Sequence, residues 1–308
     1  MGLSGRTLIS RFGRALLTIW LVVTVVFIIL RLSGDPVRLL LPPNAEPARV
    51  EALRTELGLD QSIAMQYVRF WQQIGRGNFG ESLRFHQPAM DLVLQRFPAT
   101  IKLALTAFLI ATVFGLLIGS TAAFTRGSAW DRSAMATMSV LQSAPSFFLG
   151  IMLILIFSVR LRWLPTSGYG TFEQLILPAV TLSVLTMASL ARMSRASLLE
   201  VLRADYIRTA RAKGFGERVI WVRHALRNAS LPIVTVFGIE LAELLAGAVI
   251  VETVFAWPGV GRLAVDAVST RDYPVVQSAV LLIALIFIGI NFILDLSYPL
   301  LDPRIRHD

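Results

Sequence analysis

Two carboxylates, Glu240 and Glu243, stand three residues apart inside an apolar run of this chain. On a helix that spacing puts them on one face, which Gly247 continues one turn on. A carboxylate in hydrocarbon is costly, so each acid must face a cavity or a partner helix. In a cavity the pair would favour cationic or amine-bearing solutes. Asn291, Asp295 and Tyr298 recur at i, i+4 and i+7 in a later apolar run, a pattern that suits hydrogen bonding between helices better than solute contact. Ser143, Pro145 and Ser146 enter another such run, where the proline can kink a helix and free carbonyls. Phe147 and Phe148 beside them read as packing residues. Trp257–Gly261, with the sequence WPGVG, reads as a tight turn or re-entrant element.

Other chemistry is excluded by what the chain lacks. It has no cysteine, hence no disulfide, thiolate nucleophile or Cys-ligated metal. His86, His224 and His307 are scattered without metal-ligand spacing, so no metal site is expected. No G-x-x-x-x-G-K-[ST] occurs, so the chain should bind no cofactor and should not hydrolyse ATP alone. No Ser–His or paired-Asp constellation falls within the apolar runs, so no catalytic residues are expected.

The stretch 203–230 is a basic, amphipathic helix–Gly–helix hairpin. From Arg192 to Arg227, nine basic residues (192, 195, 203, 208, 211, 213, 218, 223 and 227) stand against Glu200, Asp205 and Glu217. Arg211 and Lys213 close the helix through Asp205–Lys213, where cations suit the negative end of its dipole. Gly214 supplies a left-handed helix ending, and Gly216 and Glu217 open the next helix. Pro232 would restart the chain at the membrane, in a first helical turn. Such a hairpin suits docking of a soluble partner; a basic loop held by lipid headgroups is the alternative.

The elements that must position these residues are membrane spans. The 308 residues are 55% hydrophobic and 16% charged, with mean hydropathy +0.66, against about 25% charged in soluble proteins. Uncharged runs cover Leu103–Thr125, Ser133–Val159, Gln174–Ala191 and Tyr273–Leu294, and a spanning helix needs about 20 such residues. Arg6, Arg11 and Arg14 precede a further run, Ala15–Leu30, with no convincing small-residue cleavage site after it. This reads as an uncleaved signal anchor and first span. Six spans fit, at 12–31, 99–124, 134–159, 174–195, 230–254 and 277–300: an all-α polytopic membrane protein.

Charge orients it. Segments assigned to the cytoplasm carry Arg6, Arg11, Arg14, Arg126, Arg132, the nine above, Arg304 and Arg306. The short outer loops carry Arg160, Arg162, Arg262 and Arg271. Positive charge collects inside, so both termini are expected in the cytoplasm. The net charge of +9 and pI near 10.9 therefore reflect topology, and no nucleic acid partner is implied.

The expected organisation is a signal-anchor span at 1–31, a small extracytoplasmic helical lobe at 32–98, and a five-span core at 99–308. In the lobe, Pro47 should start a helix with Val50, Leu53 and Leu57 on one face, stopped by Gly58. A second stripe includes Met65, Phe70, Trp71 and Ile74, ending near Gly75–Gly77.

Tyr206–Gly214, YIRTARAKG, followed by RHALRNASLP ending at Pro232, resembles the coupling motif of ATP-binding-cassette (ABC) importer permeases, most closely the dipeptide, oligopeptide and nickel family. The likeness continues collinearly through GDP at Gly34–Pro36, ELGLDQ at Glu56–Gln61, GNFGES at Gly77–Ser82 and RFPAT at Arg96–Thr100. It resumes at WLPT from Trp163, IVETVFAWPGVGRL from Ile250, RDYPVVQ from Arg271 and DPRIR from Asp302. Each motif alone is weak; together they cover nearly the whole chain.

The resemblance implies a type I importer permease fold in a bacterial inner membrane. It implies a second, related permease, two cytoplasmic ATPases that bind ATP and Mg, and an extracytoplasmic solute-binding protein. Asp205, Tyr206, Arg208, Thr209, Ala210, Arg211, Lys213 and Gly214 would dock in a groove on the ATPase. The family motif opens Glu-Ala-Ala where this chain has Arg208-Thr209-Ala210, which alters the ion-pair pattern at that groove. Glu240, Glu243, Gly247, Ser143, Ser146, Asn291 and Asp295 become pathway candidates, with an Arg of the sister permease as the other partner for the Glu pair. Peptides are the expected solutes; glutathione or nickel chelates are alternatives. A proton-coupled secondary transporter using Glu240, Glu243 and Asp295 is the rival of a different class, but it would not need the hairpin.

Overall fold

An apolar chain in a bilayer must satisfy its own backbone groups, and helices do so within one segment. The computed structural model describes residues 5–32, 34, 37, 41–42 and 44–301, with side chains at 5–12, 222–223, 227, 231, 234–235 and 294–301 outside the description. Asp35, Pro36, the side chains of Asp295 and Tyr298, and the DPRIR motif therefore lie outside the described residues. Among those described, the order is α1 Gly5–Leu32, α2 Pro47–Glu56, α3 Ile63–Gly75, α4 Ala89–Phe124, α5 Ala129–Ser143 and α6 Ser146–Leu153. Then come α7 Phe172–Leu202, α8 Asp205–Ala212, α9 Glu217–Val219, α10 Arg227–Val254, α11 Val260–Ser269 and α12 Tyr273–Leu301.

Among the described residues, four helices are long and apolar enough to cross a membrane: Gly13–Leu32 of α1, α4, α7 and Tyr273–Ile293 of α12. The pair α5 and α6, the latter prolonged to Arg160 by a π-helical stretch, forms a broken fifth candidate. The 28 residues of α10 also exceed the length a span requires.

Two expectations need correction. The third span is not one kinked helix over 134–159: α5 and α6 meet at 106°. Ala144 is extended (φ −85, ψ 132), because the residue before a proline avoids the helical region. Pro145 then serves as N-cap of α6, where its missing N–H costs nothing. Nor does Pro232 open a helix. It lies inside α10, which follows α9 through the π-helical turn Ile220–Leu226.

The chain forms two compact units, with boundaries inside α4 after Ala99 and inside α12 after Ile288. The first comprises residues 1–99 and 258–288. Phe27 of α1 is fully buried, with its ring 5.3 Å from those of both Tyr67 and Phe70 on α3, and Thr24 shares a 2.7 Å hydrogen bond with the Tyr67 hydroxyl. The stripe of α3 thus runs through Tyr67, Phe70 and Trp71, while Met65, in the turn capped by Ser62, is exposed. As read from the sequence, Pro47 starts α2 and Gly58 lies just beyond it at φ +66. Leu92, Val93, Val260, Leu263, Tyr273 and Val276 form this unit's core with Leu30.

The second unit comprises residues 100–257 and 289–308. Its centre is α7, whose apolar window is 67% buried, against 17–28% for the other three long spans. Helix α4 approaches α7 closely because Gly115 and Gly119 share one face. A Cβ on Gly119 would lie 2.3 Å from the Ala191 carbonyl oxygen and 2.8 Å from Ser194 Cβ. Small residues at four-residue spacing permit such crossings in lipid, where packing replaces the hydrophobic drive. Helix α5 is tied to α7 by a bidentate pair: Arg195 Nε and Nη2 donate to the Asp131 carboxylate at 2.6 and 2.8 Å. The Gly127 N–H adds a third bond to that buried acid.

Gly119→Ala should therefore cost about 1–3 kcal/mol through overpacking, seen as a lower Tm of the purified chain. Gly289→Ala, with nothing within 4 Å of the added carbon, should leave Tm nearly unchanged. Equal Tm values for the two variants would exclude the close crossing.

Candidate functional site

The hairpin is built from its helix ends. Helix α8 stops in a Schellman arrangement: the Phe215 N–H bonds the Ala210 carbonyl at 3.2 Å and the Gly214 N–H bonds Arg211 at 2.9 Å. That closure needs a left-handed residue, and Gly214 has φ +82. Gly216 is extended as the N-cap of α9, with Glu217 in the first turn. Ile207 and Ala210 of α8 bury against Ile220 across the turn. This small apolar contact fixes the angle between the arms.

The remaining α8 side chains face outward. Asp205, Tyr206, Arg208, Thr209, Arg211, Lys213 and Gly214 are exposed, while Ala210 is buried. Arg208 reaches Asp205 only at 3.5 Å, a surface contact contributing little. Arg211 grips Glu217 with two bonds, at 2.8 and 3.2 Å, bridging the arms. The hydrogen bond from Arg211 holds the Glu217 carboxyl below its usual range, and the same bond raises Arg211. The bridge is therefore ionised at neutral pH and is lost only as pH falls through that depressed value. Tyr206 accepts from the Asn228 amide at 3.1 Å, joining α8 to the start of α10.

The hairpin is seated on the spans. Ala225, Ala229 and Ile233 pack on Ala123 of α4 and Leu198 of α7, with Trp221 and Phe237 against them. Trp221 also meets Phe124 edge-on at 5.1 Å. Helix α7 leads almost directly into α8, and α10 continues from the hairpin, so the hairpin is continuous with two long helices.

The two glutamates of α10 separate. Glu240 is 7% exposed, with Thr186, Ser189 and Arg192 of α7 close to its carboxylate. Glu243 is exposed. A three-residue step falls about 60° short of a full turn, enough to carry Glu243 off the α7 contact. Gly247 lies against Leu182, 3.3 Å from where its Cβ would be. Ser143 is exposed and bonds the Ser139 carbonyl; Ser146 is half-buried at the start of α6, and Asn291 is half-buried in α12. No pair among Ser143, Ser146, Glu243 and Asn291 is joined by a hydrogen bond among the described contacts.

Several buried polar contacts were not singled out from the sequence. In the second unit, Thr100 donates to Glu252 Oε1 at 2.7 Å, with Glu252 fully buried. Nearby, the Tyr169 ring meets the buried Trp257 edge-on at 4.8 Å, and Lys102 lies 5.6 Å from the Tyr169 centroid. In the first unit, the Asp272 carboxylate accepts from the Ser82 hydroxyl and from the Leu83 and Arg84 N–H groups. Each pair joins two of the short motifs: RFPAT with IVETVFAWPGVGRL, and GNFGES with RDYPVVQ. The available signal was an acid or hydroxyl inside a motif with no local partner; its remote partner is a tertiary fact. Among the described residues, no cluster of His, Asp or Glu has the makings of a metal site.

Comparison with known proteins bears on this arrangement. Residues 115–307 match the family "Binding-protein-dependent transport system inner membrane component", and residues 5–104 match its N-terminal companion family. The chain is 43% identical to the di/tripeptide transport system permease protein DppB of Pseudomonas aeruginosa, over 96% of this chain and 97% of that one. It is 43% identical to the glutathione transport system permease protein GsiC of Escherichia coli K12, over 94% and 95%. Among solved structures, the MetNI methionine ABC transporter in an inward-facing conformation matches with TM-score 0.58 and 22% identity, covering 70% of this chain and 98% of that one. An amino acid ABC transporter solved with histidines matches with TM-score 0.55 and 18% identity, covering 68% and 93%. The apolar helices, the type I importer permease fold and these relatives converge: the chain is a multi-pass inner-membrane permease of the binding-protein-dependent ABC importers, in their dipeptide/oligopeptide family.

Proposed function

We propose that this chain forms half of the translocation pathway of a peptide importer. A related permease supplies the other half, two cytoplasmic ATPases carry ATP and Mg, and an extracytoplasmic binding protein delivers solute. Both termini lie in the cytoplasm in this reading. Residues 1–31 act as signal anchor, 32–98 as extracytoplasmic lobe and 99–308 as permease core with its hairpin at 203–230. The chain itself is not an enzyme. Peptide rather than glutathione or nickel chelate rests on the di/tripeptide relative; the glutathione relative keeps that alternative open.

The observation that carries the reading is the hairpin. Its outward residues, Asp205, Tyr206, Arg208, Thr209, Arg211 and Lys213, surround a helix end fixed by Gly214 and by the Ile207–Ile220 contact. A rigid, charged knob continuous with α7 and α10 suits a part that converts movement of a soluble ATPase into movement of membrane helices. Arg208 in place of the family's glutamate makes the docking face more basic, so its ATPase partner should present an acidic side chain there.

For the pathway, the burial of Glu240 against α7 supports a structural role for that acid. Glu243 then becomes the acid that meets solute, with Gly247, Ser143, Ser146, Asn291 and Asp295 as further lining candidates. In vesicles holding the complete complex and supplied with binding protein, Glu243→Gln should lower uptake of lysine-containing peptides several-fold more than of neutral ones. Equal losses would remove Glu243 from the pathway. Glu240→Gln should lower Tm, with no preference between the peptides.

The docking role is tested at Gly214. A β-branched residue at positive φ is strained by roughly 1–2 kcal/mol, so Gly214→Val should disturb the α8 ending. Solute-stimulated ATP hydrolysis should fall at least about tenfold, equivalent to 1.4 kcal/mol of lost coupling, while membrane insertion persists. Full stimulation in the variant would refute docking through this hairpin. Uptake in wild-type vesicles driven by a proton gradient without ATP would refute the importer reading as a whole.

A further inference from the structure

A polar cavity of about 300 Å³ lies within the first unit, between the end of α1, the face of α3 and the first turns of α12. Arg31, Gln66, Arg69, Gln277 and the Tyr273 ring line it, with Glu56 as the only carboxylate among the described lining residues. The Arg31 guanidinium is sandwiched between the Phe27 and Tyr273 rings, 4.9 and 5.0 Å from their centroids. Its Nε donates to Gln66 Oε1 at 2.6 Å. Its Nη1 is buried without a hydrogen-bond partner, and so is the amide nitrogen of Gln277, one turn beyond Tyr273.

Two buried donors lacking partners in one cavity wall are an unusual cost, about 1–3 kcal/mol for each. Both are donors, one belongs to a cation, and Arg69 adds a second cation on the same wall. The missing partner is therefore an acceptor, and an anionic one. A planar guanidinium held by two rings and a glutamine is prearranged for an oxyanion. Arg31 is also the last cation of the apolar stretch Gly13–Leu32, the level at which lipid phosphates sit. Leu21, Val25, Ile28 and Leu32 leave an exposed apolar track along α1 toward it.

We propose that this cavity binds a phosphate-type oxyanion, supplied by an anionic lipid headgroup or by free phosphate. The Arg31 edge and the Gln277 amide turn onto it as it seats. The site ties α1, α3 and α12 together and is independent of the transport reading.

The test uses the full-length chain in lipid nanodiscs. Sodium phosphate is titrated against sodium chloride at matched ionic strength and pH, with Tm as readout. In phosphatidylcholine discs the wild type should show a saturating rise of about 2 °C or more. Arg31→Gln should abolish that rise and Gln277→Leu, which keeps the cation, should reduce it. If lipid is the natural source, discs containing phosphatidylglycerol should blunt the phosphate effect, and native mass spectrometry should find that lipid retained by wild type but not by Arg31→Gln. If free phosphate is the source, both disc types should respond alike and no lipid should be retained. No phosphate effect together with no retained lipid would overturn the proposal. An equal Tm rise in both variants and wild type would overturn it as well.

Discussion

The end of a helix leaves carbonyl groups that the helix itself cannot satisfy, and among the described residues the chain closes many such ends with its own N–H groups. The structure meets that constraint with one device used repeatedly. Helices α2, α3, α8, α10 and α11 all end in the paired bonds of a Schellman cap, for example Leu59 to Arg54, Asn78 to Gln73 and Phe215 to Ala210. Gly58, Gly77 and Gly214 take the left-handed position at three of these ends, but Ala256 and Arg271 take it at the other two, at φ +51 and +53. A side chain at positive φ is unfavourable, so those two ends are held in place by the next residue along the chain. Trp257 is wholly buried, and Asp272 is buried with three donors on its carboxylate.

The buried acids obey the same logic of satisfaction. A carboxylate out of water is tolerable only with donors around it. Asp131 has Arg195 and the Gly127 N–H, Glu252 has Thr100, and Asp272 has Ser82 and two backbone groups. All three join segments distant in sequence. They therefore fix the register of one helix on another in a way that apolar contacts, which tolerate sliding, do not. The small-residue crossing of α4 on α7 complements them, since Gly115 and Gly119 permit an approach that only one register allows.

The hairpin differs from a simple loop in how it is anchored. Its own interior is slight, consisting of Ile207, Ala210 and Ile220. Its base, in contrast, packs Ala225, Ala229 and Ile233 onto the ends of α4 and α7. The Arg211–Glu217 bridge and the Tyr206–Asn228 bond link its arms. The hairpin therefore combines a charged, exposed tip with an apolar, packed base.

The sequence by itself determined the class of this protein and the place of its hairpin. Long uncharged runs mark a chain built for a bilayer, and Gly214 followed by Gly216 and Glu217 marks a turn through local backbone chemistry. Local rules also located Pro47, Gly58 and Pro145, although not the size of the bend at Pro145, which depends on where α5 and α6 find their neighbours. Pro232 does not open a helix, because the π-helical turn Ile220–Leu226 leads straight into α10 and the proline falls inside it. The fate of the acids was decided only by tertiary structure. Glu240 and Glu243 are equivalent by helical spacing, yet one is buried against Thr186 and the other is exposed. Asp272 and Glu252 looked ordinary until Ser82 and Thr100 came to them from far along the chain. Periodicity reports which residues share a face; only the packed fold reports what that face meets.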